Sequence, residues 1–294
     1  MKDVLSFLPL DLLGALSLAC VFSSMLALGA GVRPGRILAR QFPLRPLLAA
    51  LAIALIGVPL ATLVLVRVLG LQSGALVGLL LMGISPGAPL ALRKSRKAEG
   101  DLDFSLVLQV GVAVLSIAAV PLWIMALGAL YARDAGLSVA ILAKQVGVAQ
   151  ILPLACGALL ARLAPRLAAR SVRPLLLGSG VLLAVLGVVI LLVFWARLAA
   201  LPWAAVVASA ALAATTLAAA YAACGPSRAM RRSAGIACAM RNPGTALLIA
   251  SANGLPEDAR VMVVCHVVVT ALAVALYVAL LRGGPAEPAT AASA

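Results

Sequence analysis

Acidic residues are scarce in this 294-residue chain: nine Asp and Glu stand against 23 Lys and Arg, beside a single histidine. So few carboxylates and one imidazole leave little material for a metal cluster or a paired general acid and base. Five cysteines occur (Cys20, Cys156, Cys224, Cys238 and Cys265), all in apolar stretches and none in a C-x-x-C pair. They read as buried free thiols rather than as a disulfide or zinc framework. Aromatic residues make up 4% of the chain and the basic residues form no continuous stripe. A nucleic-acid partner is therefore not expected, despite a net charge of +14.

Apolar residues dominate instead, at 64%, with a mean hydropathy of +1.17. Soluble domains are about half apolar, and a helix crossing the hydrocarbon needs about 20 mainly apolar residues. Nine runs meet that length: 7–31, 46–69, 72–92, 104–130, 138–161, 174–196, 201–224, 233–253 and 259–281. The first is too long for a signal-peptide core. The expected fold class is an all-α integral membrane protein of nine transmembrane helices in the lipid bilayer. The Ala- and Pro-rich segment 283–294 is expected to be a disordered tail.

The basic residues test that count, because cytoplasmic loops carry an excess of Lys and Arg. With the N-terminus outside and the C-terminus inside, sixteen fall in cytoplasmic segments: Arg33, Arg36, Arg40, Arg45, Arg93, Lys94, Arg96, Lys97, Arg162, Arg166, Arg170, Arg173, Arg228, Arg231, Arg232 and Arg282. Six fall outside: Lys2, Arg67, Arg133, Lys144, Arg197 and Arg260. Arg241 is left over, inside a span. Heavy use of Ala, Arg, Gly and Pro fits a bacterial inner membrane.

Two spans are interrupted. The third holds Ser85-Pro86-Gly87-Ala88-Pro89 and the eighth holds Arg241-Asn242-Pro243-Gly244. Proline removes a backbone donor and glycine loosens the chain, so both should unwind. Unwound backbone cannot face lipid and must face protein, water or a ligand. A plain proline kink is the alternative at either place. The two breaks sit at similar depth in helices of opposite direction, within halves (helices 1–4 and 6–9) that form an inverted repeat. Paired interruptions of this kind point to a transporter's central site.

Arg241 admits two accounts. It pairs structurally with backbone carbonyls or a distant group, or it faces a cavity to meet an anion or replace a bound cation. An enzyme reading finds no nucleophile with a base. Asp101 and Asp103 suit a helix start, and Arg93-Lys94-Ser95-Arg96-Lys97 a cytoplasmic anchor. Asp11 is a proton-responsive candidate or an interfacial acid. A channel would need a continuous polar pore, whereas polarity here is local to the breaks.

The stretch Ser85–Pro89, followed by Glu99-Gly100-Asp101 and Phe104-Ser105-Leu106, resembles the first crossover motif of the bile acid:sodium symporter family. Ala239-Met240-Arg241-Asn242-Pro243-Gly244 resembles its second, and His266 sits where relatives can carry a histidine. The resemblance implies a core domain (72–130 and 201–281) containing two crossed broken helices, and a panel domain (7–69 and 138–196). It implies transport of organic anions, often with sodium. The sodium-site positions of the family are here Ala91, Leu92, Ser105, Gln109, Ala237 and Arg241, so its carboxylate is absent and a fixed cation is present. Arg241 is expected to stand in for sodium. No cofactor is expected; the coupling ion, sodium or proton, and the oligomeric state are open, and the partner is a small anionic substrate.

Overall fold

A computed structural model describes residues 10–32, 43–130 and 139–282. Lys2, Arg33, Arg36, Arg40, Arg133, the side chains of Asp11 and Arg282, and the segment 283–294 lie outside this description, so the expectations for them are not addressed by it.

All regular structure among the described residues is helical. The elements are α1 (Leu10–Ala30), α2 (Leu44–Val68), α3 (Ser73–Ile84), α4 (Ala91–Lys97), α5 (Leu102–Leu130) and α6 (Val139–Leu163). They continue with α7 (Pro165–Val193), α8 (Trp195–Ala199), α9 (Trp203–Ala223), α10 (Arg228–Ala239), α11 (Pro243–Ala252) and α12 (Glu257–Arg282). Seven of these are long and apolar enough to cross a membrane: α1, α2, α5, α6, α7, α9 and α12. The two interrupted stretches are broken pairs, α3/α4 and α10/α11. Helix α7 begins at Pro165 rather than near 174, so Arg166, Arg170 and Arg173 sit on the helix and not in a loop.

Helix α2 shows how proline shapes a span. Its middle widens into a π turn, Ile53–Gly57, in which Val58 N–H reaches back to Ile53 O. Pro59 follows and has no N–H to give to Leu55 O. Trp123 of α5 donates its indole Nε1–H to that carbonyl at 2.8 Å. The helix stays satisfied because its neighbour supplies the missing donor.

Two groups of helices emerge. Helices α1, α6 and α7 pack on one another. Gly29 and Gly157 face across α1 and α6, where a Cβ on either would overlap Leu154 O or Leu26 O. Small residues bring the two backbones into contact without a hydrophobic force between helices. The second group joins α3 to α12 and α9 to α10 and α12, with α5 on α10. Here Gly74 and Gly78 of α3 abut Asp258, Ala259 and Met262 of α12. The expectation that 46–69 belongs with the panel is corrected. Helix α2 packs on α3, α5 and α9, burying Ala50, Ala54, Val58 and Val66 against the broken-helix group. Apolar faces at those positions fit the broken-helix group, and among the described residues α1, α6 and α7 make up the other group.

The groups meet where α11 lies on α1 and α5 on α6. At the end bearing α8 and the start of α12, Arg197 bridges to Glu257 at 2.8 Å and to Asp258 at 2.9 Å. The hydrogen bond that Arg197 donates to Asp258, then the charge of Glu257, raise the Arg197 pKa above its usual value. At the same end Asn253 donates to Gln145 Oε1 at 3.2 Å. At the opposite, basic end the groups part around a cavity of about 1180 Å3 between α4–α5 and α1, α6 and α7.

Candidate functional site at the crossing of two broken helices

Helix α3 ends because Ser85 turns extended (φ −63°, ψ 148°) ahead of Pro86. Helix α10 ends at Ala239, and Met240 and Asn242 are extended ahead of Pro243. The two extended pieces pair with each other: Gly87 and Arg241 form an antiparallel bridge. Ala88 N–H donates to Met240 O and Asn242 N–H to Pro86 O, both at 2.7 Å. Each break supplies the hydrogen-bond partners that the other lacks.

Side chains finish the accounting. Met82 O has no helical donor because residue 86 is a proline, and Gly83 O loses the N–H of Gly87 because the helix does not continue. Arg241 takes both, with Nη2 donating to Gly83 O at 2.8 Å and Nε to Met82 O at 3.4 Å. Its positive charge thus sits at the carbonyl end of α3, where the helix dipole favours a cation. Gln109 of α5 donates Nε2–H to Ala237 O at 3.3 Å. Gly87 lies so close under Gln109 that a Cβ would overlap Oε1 and displace the Gln109 amide. Asn242 caps α11, its Oδ1 accepting from Gly244 N–H at 3.1 Å, and Pro243 occupies the first turn.

The crossing is shut off from solvent. Arg241 is 4% exposed, and Ser85, Ala88, Gln109, Asn242 and His266 are also buried. The lining of the basic-end cavity contains none of Pro86, Gly87, Arg241 or Asn242. Arg241 therefore follows the carbonyl-pairing account and does not face that cavity. Several polar atoms around the crossing are buried without a partner: Arg241 Nη1, Gln109 Oε1, Asn242 Nδ2, Thr245 Oγ1 and His266 Nδ1. Such atoms are rare in a folded interior and mark a place built for polar contacts.

The other expected site residues separate. Ser105 Oγ lies 3.3 Å from Ser95 Oγ, joining α5 to α4. Ala91 packs with Ile236 and Ala239, while Leu92 lies on the α1 side and lines the cavity. His266 pairs within its own helix with Thr270 at 3.2 Å. Asp101 starts α5 as expected, accepting from Phe104 N–H at 3.0 Å. Of the cysteines, Cys156 is exposed rather than buried, because it falls on the outward face of α6.

Sequence reading missed Arg260. Counted among outer loop residues, it is 2% exposed in the first turns of α12, with Nε and Nη1 unpartnered. Nearness to a span end hid it. The roles of Ser95 and of the Met82 and Gly83 carbonyls were equally invisible, since neither residue type announces such a task.

Spanning helices with two broken helices crossed at their breaks are the architecture of a multi-pass membrane transporter. The chain belongs to the sodium bile acid symporter family, whose model matches residues 18–200, more than half its length. That match includes the first break and stops before the second. No curated protein matches the chain.

Proposed function

We propose that this protein is a secondary transporter that moves a small organic anion by alternating access, the α1–α6–α7 panel rocking against the broken-helix core. The crossing at Gly87 and Arg241 carries this reading. A bridge of two extended segments, deep among helices of spanning length, places polar backbone and side chains where lipid would forbid them. Counting α3/α4 and α10/α11 as one span each gives nine, with α1–α5 and α7–α12 as inverted halves. The basic end is then cytoplasmic, with the N-terminus outside and the C-terminus inside a bacterial inner membrane.

Transport proceeds without sodium at the crossing. Among the described residues no aspartate or glutamate is buried, and no group of three His, Cys, Asp or Glu gathers to hold a metal ion. The family's sodium positions are filled by Ala91, Leu92 and Ala237, by Ser105 and Gln109 with partners of their own, and by the Arg241 guanidinium. A cation brought beside Arg241 would meet repulsion of several kcal/mol in so dry a place, on the order of 4 kcal/mol at 4 Å even at an effective dielectric of 20. Arg241 does permanently what a bound ion would do transiently: it satisfies the end of α3.

Uptake of a labelled organic-anion panel into proteoliposomes tests both statements. Saturation and counterflow are expected, with equal rates in sodium and potassium. Linear, non-saturating flux would indicate a channel. A sodium-gradient dependence abolished by Asn242→Ala would overturn the uncoupled mechanism.

A further inference from the structure

The basic-end cavity is ringed by arginines from both moving groups. Arg93 and Arg96 lie three residues apart on one face of α4, and Arg166 and Arg173 lie seven apart on one face of α7. No side-chain hydrogen bond or ion pair engages any of these four among the described residues. Lys97 and Asp103 line the same space and are partnered. Between the arginines the wall is apolar, from Leu92, Leu106 and Leu176. All four are exposed and border one open cleft of about 1180 Å3, large enough for an organic molecule.

Resting on the carrier reading above, we infer that this cleft takes an organic anion with an apolar body and a doubly charged, phosphate-type head. Guanidinium forks match such oxyanions two bonds at a time. A single negative charge would leave most of the ring uncompensated. A dianion held between α4 and α7 bridges core and panel, so it draws together two faces that like charge otherwise holds apart. Occupancy would thus promote closure at this end. The head could belong to a soluble phosphate monoester or to a lipid, and the chemistry at the arginines is the same.

Binding to the purified full-length protein decides the matter. In nanodiscs of phosphatidylcholine at pH 8, phenyl phosphate, a dianion above a second pKa of about 6, should bind at least about tenfold more tightly than benzoate. Tenfold is the size of one lost charge-assisted hydrogen bond. Arg166→Gln/Arg173→Gln and Arg93→Gln/Arg96→Gln should each weaken phenyl phosphate by about tenfold or more and weaken the singly charged benzoate by less. The corresponding Lys pairs should restore part of the affinity, which also shows that the fold survives. Phosphatidic acid in the nanodisc will compete with phenyl phosphate if the head belongs to a lipid and will not if it belongs to a soluble ester. Equal affinity for benzoate and phenyl phosphate, or unchanged phenyl phosphate binding in both Gln pairs, would overturn the inference. Because binding is measured without transport, an inert protein that still prefers the dianion would sink the carrier reading alone.

Discussion

A buried guanidinium is costly unless its donors and its charge both find use. Arg241 meets this requirement with two carbonyls that proline and glycine have stripped of their helical donors. Arg241→Met should therefore destabilise the protein by about 1–3 kcal/mol, the cost of leaving buried carbonyls unsatisfied, and abolish uptake. Arg241→Lys, which keeps the charge and can reach one carbonyl, should retain more stability; thermal unfolding in detergent compares the two. Trp123 makes the same point at Leu55 O. Trp123→Phe keeps the ring and loses the N–H, so a loss of about 1 kcal/mol is expected, read as a lower unfolding temperature with little change in transport. The interruptions, Arg241 and the helix-starting Asp101 were legible in sequence, because proline, buried charge and N-terminal acids carry meaning by themselves. The partners were not. Leucine, methionine and glycine offer the same carbonyl everywhere, and only packing decides which of them lies near a donor.

At the scale of elements, glycine sets which helices can touch. The Gly29–Gly157 contact lets α1 and α6 approach backbone to backbone. Gly29→Val should force them apart and loosen the panel, at a cost typical of overpacking, about 1–3 kcal/mol or more. Limited proteolysis or hydrogen exchange should then show increased opening in α1 and α6 but not in α3 and α12. Spans were readable from length and hydropathy, and most boundaries shifted by only a few residues. Helix α7 was the exception: its first nine residues looked like a loop because they are rich in arginine, yet Pro165 at its first position starts a helix there. The allocation of α2 to the panel failed for a different reason. Hydropathy says that a helix meets lipid or protein, but not which protein surface.

The molecule as a whole is shut at one end and parted at the other. Arg197 with Glu257 and Asp258, and Asn253 with Gln145, tie the panel to the core at the closed end. These ion pairs are about half exposed, so each is worth at most about 1 kcal/mol and weakens with salt. That is still enough to bias a balance between two conformations. Arg197→Gln should shift the population toward opening at that end. Cys20 reports it: buried in α1, it lies against Ser179 O at 3.4 Å and next to Gly244 of the core. In a Cys156→Ser background, labelling of Cys20 by an impermeant maleimide should speed up in the Arg197 variant. An unchanged rate would show that the contacts do not hold the closed end.

Composition alone determined that this chain lives in a bilayer, because no soluble interior can hide so much apolar surface. Order along the chain determined where its helices fail, because proline has no amide hydrogen wherever it stands. Tertiary structure decided what those failures are for. Two stretches far apart in the chain exchange backbone hydrogen bonds, Ala88 with Met240 and Asn242 with Pro86, and an arginine closes the remaining gap. Hydrogen bonds act over about 3 Å, a distance that sequence separation does not measure.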